Sequence, residues 1–473
     1  MKDWPEELKA LGFKPGRAFG KMLEWIRDQN TFLSEDQIMA MLIKFRDYPE
    51  NFLDEPELGP IAIQLKQEAG IPNGMTSLTP EESSPQAVIF GREHIENGAL
   101  DQMKTAMTLP IAVAGALMPD AHQGYGLPIG GVLATENTVI PYGVGVDIGC
   151  RMALSVFDLS ADYLINQRDK LIRILTECTL FGAGKAFEGK ARADHPVLED
   201  PVFQTTPFLK SLKDKSWAQL GTSGGGNHFV EWGMFRIKEN KADCPLPAGD
   251  YLSLLSHSGS RGMGATIANH FTSLAREICV LPRHARDLAF LDLDTEEGNN
   301  YWDAMNLAGN YASACHDIIH KRISSALSAQ TVFKVENHHN FAWKEMHQGR
   351  ELIVHRKGAT PAGKGVLGII PGSMASPGFV VRGLGHDSSL QSASHGAGRL
   401  MSRTQAVKTL QWNEIRIQLE NQGIFLLGGG LDEAPQVYKD IRKVMACQAE
   451  LVEVIAEFHP SIVRMADDGS RED

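Results

Sequence analysis

The stretch G-V-G-V-D-I-G-C-R-M, residues Gly143–Met152, places a carboxylate, Asp147, three residues before a thiol, Cys150. Glycine at this density predicts a turn in which the backbone approaches another group closely, not an ordinary helix or central strand. Carboxylate oxygen and thiolate sulfur together suit a divalent transition metal, which they can share or bridge. The alternative is that Cys150 is a small buried residue and Asp147 a turn residue. The remaining ligands would have to come from distant parts of the chain.

The composition is that of a soluble globular protein, with 473 residues of which 43% are hydrophobic and 22% charged. This length allows one large domain or two to three average ones. Apolar runs such as Ile111–Met118 are far shorter than the roughly 18 residues of a membrane-spanning helix. Met1–Phe13 is charged where a signal peptide would be apolar. We therefore expect a cytoplasmic protein with no membrane partner.

Charge and cysteine usage exclude several classes of protein. The 46 Lys and Arg residues against 58 Asp and Glu residues give a net charge of −12. This charge argues against a general affinity for phosphate backbones but allows a local basic groove. The six cysteines form no C-x-x-C pair, so the sequence predicts neither a disulfide framework nor a zinc ribbon.

The first 85 residues differ from the rest in their pattern of apolar residues and in composition. Gly20–Ile26 and Gln37–Phe45 place apolar residues at helical spacing, and Ser34 with Gln37 forms a capping box. Ile71–Pro85 has the composition of a linker. We therefore predict a small helical region over residues 1–85 and a catalytic domain over residues 86–473.

Beyond Ala87, short β-like runs alternate with glycine-rich turns and with helical stretches at Ala161–Cys178 and Tyr301–Leu327. This texture predicts an α+β or α/β enzyme. One glycine-rich turn, Met118–Gly131, carries Asp120 and His122. These two residues can contact a metal or a phosphate, or Asp120 can cap the turn.

Three further junctions between a strand and a turn carry histidines. Their sequences are G-G-G-N-H-F-V-E with His228, L-S-L-L-S-H-S-G-S-R-G with His257, and a β-like run over Val332–Phe341 with His339. Together with Asp147 and Cys150 they form five candidate ligands. Imidazole, thiolate and carboxylate point to Mn, Zn, Fe or Co and not to Mg or Ca. A bridging thiolate can hold two ions, an arrangement suited to in-line displacement at phosphorus.

Two motifs in the last third concern phosphate chemistry. Gly358–Lys364 matches the start of a P-loop, but Gly365 replaces the hydroxyl residue and Val366–Ile370 is β-like, so we reject a P-loop. In Ser392–Arg403, His395 is followed by two arginines at i, i+4 spacing that would share one helical face and bind a common anion. His395 is then a candidate nucleophile at phosphorus. The alternative is a glycine C-cap followed by two solvated arginines.

Nine motifs, taken in order, resemble the RtcB family of RNA-splicing ligases over roughly residues 86–460. They are M-P-D-A-H-Q-G-Y-G, G-V-D-I-G-C, G-G-G-N-H-F-V-E, H-S-G-S-R-G, H-H-N, R-K-G-A, P-G-S-M, S-H-G-A-G-R and D-E-A-P-Q-V-Y-K. The resemblance implies an α+β fold with mixed sheets around a metal site. It also implies a GTP-driven, Mn²⁺-dependent ligase for RNA repair or tRNA splicing. Such an enzyme joins a 3′-phosphate or 2′,3′-cyclic phosphate end of RNA to a 5′-hydroxyl end.

The resemblance also assigns roles to individual residues. Two manganese ions would be held by Asp147, Cys150, His228, His257 and His339, with the cysteine between the ions. His395 would become guanylylated, and Arg261 and Arg403 would contact RNA phosphate. The GMP-binding positions would be Asn227, Glu231, Ser373, Gly398, Arg399 and Tyr438.

The sequence departs from the family pattern at three places. Gly378 stands where the family has a serine five residues after Ser373, and the terminal V-K-G is absent, leaving Arg464 and Arg471 as the nearby cations. The helical region before residue 85 is longer than usual. Two alternatives therefore stay open: a dinuclear metal phosphodiesterase acting on cyclic phosphate ends, and a non-catalytic RNA-binding or translation-rescue accessory. The sequence does not identify an activating protein partner.

Overall fold

The computed structural model describes residues 2–13, 17–29, 32–52, 55–70, 76–240 and 244–467. The chain divides into two compact units, Met1–Met75 and Thr76–Asp473. The division precedes the expected boundary at residue 85 because the second half of the predicted linker is tied to the larger unit. The backbone N–H of Thr76 donates to Val280 O and that of Thr79 to Thr108 O, both at 2.7 Å. The first half of that linker, residues 71–75, lies outside the described residues.

The smaller unit is helical, as predicted. Its helices are α1 (Trp4–Ala10), α2 (Arg17–Gln29), α3 (Glu35–Asp47) and α4 (Gly59–Gly70). The capping box is present at the start of α3: Ser34 Oγ accepts from Gln37 N at 3.3 Å and Gln37 Oε1 from Ser34 N at 2.9 Å. Met22, Ile38 and Phe45 are fully buried in its core.

The larger unit is a mixed α+β structure, which confirms the predicted fold class. Its helices are α5 (Asn97–Met107), α6 (Tyr163–Asn166), α7 (Arg168–Cys178), α8 (Pro207–Gln219), α9 (Arg261–Ile278), α10 (Glu296–Leu327), α11 (Arg403–Thr409), α12 (Trp412–Asn421) and α13 (Ile441–Ala446). Its strands are β1 (Val88–Ile89), β2 (Ala112–His122), β3 (Ile129–Thr135), β4 (Thr138–Val139), β5 (Arg151–Ser160), β6 (Phe229–Ile237), β7 (Gly249–Ser258), β8 (Leu291–Asp292), β9 (Thr331–His338), β10 (Asn340–His347), β11 (Arg350–Lys357), β12 (Ala359–Pro361), β13 (Leu367–Ile370), β14 (Gly378–Gly383), β15 (Ser392–Ser394), β16 (Phe425–Leu427) and β17 (Val452–Met465).

The eight-stranded sheet positions most of the predicted ligands. Its order is β13-β14-β17-β6-β7-β5-β9, with β16 paired to β17. Strands β6, β7, β5 and β9 are antiparallel neighbours, so β5 and β6 begin at the edge where β7 and β9 end. Arg151 lies opposite both Ser258 and His338, and Phe229 lies opposite His257. We call this edge the site edge.

The five-stranded sheet, β1-β2-β3-β11-β10, supports the turn that leads to Asp147 and Cys150. Its buried His355 donates from Nδ1 to Leu133 O at 3.2 Å and accepts from the backbone N–H of Ile140 at Nε2, at 2.9 Å. Only the neutral imidazole satisfies both bonds. Burial lowers the pKa of His355 to about 4.

This histidine predicts a loss of stability in acid. Its folded-state pKa lies below the unfolded value of 6.5, so the unfolded state binds more protons below pH 6.5 and the stabilisation disappears as the pH falls toward 4. The shift corresponds to about 3 kcal/mol of unfolding free energy. In urea titrations we expect the difference in unfolding free energy between wild type and His355→Gln to shrink by about this amount from pH 6.5 to 4. The exposed His284, replaced in the same way, is the control, and a constant difference for His355→Gln would contradict the prediction.

Candidate active site

Four candidate ligands converge at the site edge. Cys150 directly precedes β5, His228 directly precedes β6, His257 lies near the end of β7, and His339 links β9 to β10. Cys150 Sγ lies 3.3 Å from His228 Nε2 and 3.2 Å from His257 Nε2. His257 Nε2 lies 3.2 Å from His339 Nε2. All four side chains are buried, so these polar atoms lie close together out of reach of bulk water.

Asp147 completes the cluster. Its Oδ1 accepts from Ser260 N at 2.9 Å, and its Oδ2 lies 3.1 Å from His228 Nε2. Gly259 makes room for this carboxylate, because a Cβ there would lie 2.1 Å from both of its oxygens. The ligand atoms form two groups, Asp147–Cys150–His228 and Cys150–His257–His339, and within each group they lie within 4.8 Å of one another. Cys150 belongs to both groups, as a bridging ligand would.

The lowered pKa values in this cluster favour the protonation states that bind a cation. Burial lowers the pKa of His257 to about 3 and that of His339 well below its usual value, so both imidazoles are neutral at physiological pH. Burial alone would raise the pKa of Asp147, but the hydrogen bond and charge of His228 together with the charge of Arg261 lower it overall. His257 donates from Nδ1 to Asn227 O at 3.2 Å, which leaves its Nε2 lone pair directed at the cluster. A carboxylate, a thiol and neutral imidazoles fit a transition-metal pair.

A chain of buried hydrogen bonds extends from the Ser258 carbonyl, beside Cys150, to His320. His316 Nε2 donates to Ser258 O at 3.2 Å, and that carbonyl lies 3.5 Å from Cys150 Sγ. Ser256 Oγ then donates to His316 Nδ1 at 2.7 Å and accepts from His320 Nε2 at 2.8 Å. Burial lowers the pKa of both histidines. The Ser258 carbonyl therefore determines the tautomer of each.

Breaking this chain should weaken metal binding. Removing an outer partner of a metal site lowers metal affinity by about 10- to 100-fold. We expect a loss of about tenfold for Ser256→Ala, measured as the dissociation constant for a divalent ion by titration calorimetry. Ser253→Ala is the matched control, because Ser253 is a buried serine of the same strand that bonds to Gly233 O. Equal affinities for the two variants would show that the chain does not act on the cluster.

His395 lies beside the ligand cluster and is held by a buried carboxylate. Its ring centroid is 5.0 Å from that of His339. Asp120 Oδ2 accepts from His395 Nδ1 at 2.7 Å and from the backbone N–H groups of His395 and Gly396 at 3.1 and 3.3 Å. With Nδ1 bonded in this way, the Nε2 lone pair is available to react. Gly398 permits the approach, since a Cβ there would lie 1.9 Å from Asp120 O.

One cavity of about 750 Å³ contains both the ligand cluster and His395. Two buried carboxyl groups, Glu231 and Glu433, line it, and burial raises the pKa of each. Tyr438 donates its hydroxyl proton to Glu433, and Arg399 lies over the Tyr438 ring at 5.5 Å. Buried donors and acceptors beside a histidine with a free nitrogen suit a nucleotide.

A family model described as tRNA-splicing ligase RtcB matches residues 102–466. The chain belongs to the RtcB family. The RNA-splicing ligase RtcB of Escherichia coli (strain K12) is 34% identical, over 80% of this chain and 96% of its own length. The tRNA-splicing ligase RtcB of Thermococcus kodakarensis is 28% identical, over 78% of this chain and 93% of its own length. The RNA-splicing ligase RtcB of Mycobacterium bovis is 30% identical, over 76% of this chain and 98% of its own length.

The structure brings together the five metal-ligand positions inferred from the RtcB resemblance and places His395 beside them. It also places Arg261 there: this buried arginine has a left-handed backbone, φ 56°, and its Nη2 donates to His228 Nδ1 at 3.0 Å. The other nucleotide positions, Asn227, Glu231, Ser373, Gly398, Arg399 and Tyr438, all line the same cavity. Their roles remain predictions.

One expectation about the arginines of this RtcB protein is wrong. Arg399 and Arg403 do not share a helical face, because α11 begins only at Arg403 and Arg399 instead forms an isolated bridge with Tyr438. Both arginines do contact one acidic group, but this group is the side chain of Glu433 and not a bound anion. Glu433 Oε1 lies 3.2 Å from Arg399 Nη1 and 3.5 Å from Arg403 Nη1.

The departures from the RtcB pattern have structural consequences. Gly378 lines the cavity, and a Cβ there would be 3.4 Å from Pro371 Cα, so a serine would fit. A different serine, Ser376, lines the cavity nearby and accepts from Ser373 Oγ at 3.0 Å. Arg464 does not replace the terminal lysine of the family, because its guanidinium lies over Phe181 at 5.6 Å. Arg471 lies outside the described residues.

Two functional candidates were missed or left open by the sequence. The P-loop-like stretch forms strand β12 and a turn, with no helix, which agrees with its rejection. The lysine just before it, Lys357, lines the cavity, and burial lowers its pKa to about 8. Asp120 was ambiguous between turn cap and ligand. Its sequence motif made it a candidate to contact a metal or a phosphate, but the structure shows that its carboxylate binds His395.

Proposed function

We propose that this protein joins RNA 3′-phosphate or 2′,3′-cyclic phosphate ends to 5′-hydroxyl ends, with GTP as the energy source and two manganese ions as cofactors. Its membership in the RtcB family makes it an RNA ligase. The observation that carries the proposal is the position of His395, a histidine with a free Nε2, in the same cavity as a cluster that can hold two metal ions.

His395 performs the first chemical step in this proposal. Its Nε2 attacks the α-phosphorus of GTP, an N–P bond forms, and the bond to the leaving pyrophosphate breaks. Asp120 holds Nδ1–H and compensates the positive charge that the ring gains. The RNA 3′-phosphate then takes the GMP from His395, and the 5′-hydroxyl displaces GMP to seal the strand.

Asp147, Cys150, His228, His257 and His339 would hold the metal ions. Bound metal would withdraw charge from phosphate oxygens and activate water for opening a cyclic end. We propose manganese as the metal because the family resemblance implies it. The carboxylate, thiol and imidazole donors are compatible with this ion.

The nucleotide would occupy the part of the cavity lined by Arg399, Glu433 and Tyr438. Asn227, Glu231, Ser373 and Gly398 line the same space. Buried Glu231 offers a carboxyl that can pair with the N–H groups of a guanine edge, which favours GTP. Arg261 and Arg403 would contact RNA phosphate.

The proposal places the enzyme in the cytoplasm, where tRNA and other RNA substrates occur. No described helix is both long and apolar enough to cross a membrane. RNA repair and tRNA splicing both produce the ends that this reaction joins.

Labelled nucleotides test the proposed nucleotide step. The protein is incubated with Mn²⁺ and each of the four NTPs labelled at the α-phosphate, and covalent label is measured after denaturation. We expect acid-labile label from GTP in wild type and none in His395→Ala. No label in the wild type would contradict the proposal. Opening of cyclic ends without joining would then favour a dinuclear phosphodiesterase, and RNA binding with neither reaction would favour an accessory protein.

A further inference from the structure

A second cavity, of about 320 Å³, has no role in the chemistry proposed above. It is lined by Arg276, Cys279, Val280, Leu281, Arg283 and Arg286. We call it the arginine cavity. Three arginines line one space in a chain whose net charge of −12 disfavours general binding of polyanions.

The arginines are only partly neutralised by their neighbours. Arg276 Nη2 donates to Asp287 Oδ1 at 2.6 Å, and Arg286 Nε lies 3.8 Å from the same oxygen. Exposed Arg283 makes no ion pair or hydrogen bond with any described residue. Within the described chain, Arg276 Nε is buried without a hydrogen-bond partner. Even with the acidic neighbour Glu277 counted, the cavity keeps a positive surplus and unused donors.

The arginine cavity lies close to the catalytic cavity at Tyr142. The Arg276 guanidinium carbon lies 5.8 Å from the centroid of the Tyr142 ring, and Lys357 Nζ lies 4.9 Å from the same centroid. Tyr142 and Lys357 both line the catalytic cavity. One tyrosine of the catalytic cavity therefore contacts a cation of each cavity.

A second contact between the two regions lies next to Tyr125. This tyrosine lines the catalytic cavity and is 70% exposed, although it is a large aromatic residue. The next residue, Gly126, touches the backbone of Asp287, since a Cβ at Gly126 would lie 2.8 Å from Asp287 O. Asp287 is the residue that binds Arg276 and Arg286. An exposed aromatic residue of the catalytic cavity thus directly precedes a glycine that contacts the acidic partner of the arginines.

We propose that Tyr125 and the arginine cavity bind the RNA strand that leads into the catalytic cavity, with the arginines on backbone phosphates and the Tyr125 ring stacked on a base. This inference rests on the proposed function, because it assumes that RNA is the substrate. Alternating aromatic and cationic contacts are how proteins bind single-stranded RNA without reading its sequence. A free phosphate or the triphosphate of GTP would use the arginines but not the aromatic ring.

The test measures RNA binding directly. The probe is a fluorescent single strand of about ten nucleotides with a 3′-phosphate, a length comparable to known single-strand sites, and the readout is anisotropy. We expect Arg283→Ala/Arg286→Ala to weaken binding about fivefold and to reduce the slope of log K against log salt by about 0.7 for each lost phosphate contact. Tyr125→Ala should weaken binding about fivefold or more, whereas Tyr125→Phe keeps the ring and should bind like the wild type. Arg173→Ala, at an exposed arginine of α7, is the matched control.

Three outcomes would overturn the inference. The first is an RNA affinity of the double arginine variant equal to that of the wild type, and the second is an equal loss of RNA affinity in Arg173→Ala. The third is a double arginine variant that loses binding of inorganic pyrophosphate but keeps its RNA affinity. Labelling of the wild type by GTP is measured on the same preparation. Its failure would reject the nucleotide step of the proposed function and leave the RNA-binding result to be judged by itself.

Discussion

Replacing Cys150 by alanine is expected to remove metal binding and, with it, ligation. Its Sγ is the one atom shared by the two ligand groups, so its loss takes a ligand and a negative charge from both sites. Loss of an outer partner already lowers affinity by about 10- to 100-fold, and loss of a shared ligand should exceed that range. The measurement is metal content per chain after equilibration with Mn²⁺, together with the rate of RNA joining.

Cys244→Ala is the control for this experiment. Cys244 is also buried, but it lies in a separate hydrophobic cluster beside Phe235 and Leu255. It should keep full metal content and activity. Full metal occupancy in Cys150→Ala would rule out the bridging role of the thiolate.

Replacing Asp120 by alanine is expected to slow covalent labelling by GTP at least about 100-fold, because misplacement of a reacting group by about 1 Å already has an effect of this size. Asp120 accepts three hydrogen bonds from His395 and Gly396, and it orients the ring that we propose to attack phosphorus. The burial of Asp120 would raise its pKa, but the hydrogen bond and charge of His395 outweigh burial and lower it. The carboxylate is therefore ionised and can stabilise a charged ring. Labelling is followed by stopped time points with GTP labelled at the α-phosphate.

Asp120→Asn separates charge from geometry. The amide oxygen can accept the same three hydrogen bonds but carries no charge. A rate for Asn between those of wild type and Ala would show that both orientation and charge contribute. A wild-type rate for Asp120→Ala would exclude Asp120 from the reaction.

Local sequence was enough to predict the element types around the site. Glycine-rich turns next to β-like runs identified the positions of Asp147, Cys150, His228, His257 and His339, and all five lie at the ends of strands or in the adjoining turns. Helical spacing was less reliable near His395. Arg399 and Arg403 have the spacing of a helix, but the bridge from Arg399 to Tyr438 holds that segment extended. A tertiary pairing therefore overrode the local pattern.

Contacts between distant residues could not be predicted from spacing. Asp120 and His395 are 275 positions apart, and nothing local indicates that they share a hydrogen bond. The same holds for Glu433, whose burial between Arg399, Arg403 and Tyr438 depends on how three separate segments pack. The contact between the turn at Gly126 and Asp287 likewise depends on tertiary packing.

The sequence by itself determined which candidate functional groups this protein has: a thiol and a carboxylate in a glycine-rich turn, histidines at later strand ends, and a histidine followed by two arginines. Those choices follow from local rules, since turn formation and strand periodicity depend on neighbouring residues. The tertiary structure decided which of these groups meet. The antiparallel register of β6, β7, β5 and β9 brings four candidate ligands to one edge. Burial then removes water and lowers the pKa of His257 and His339, which no short stretch of sequence can specify.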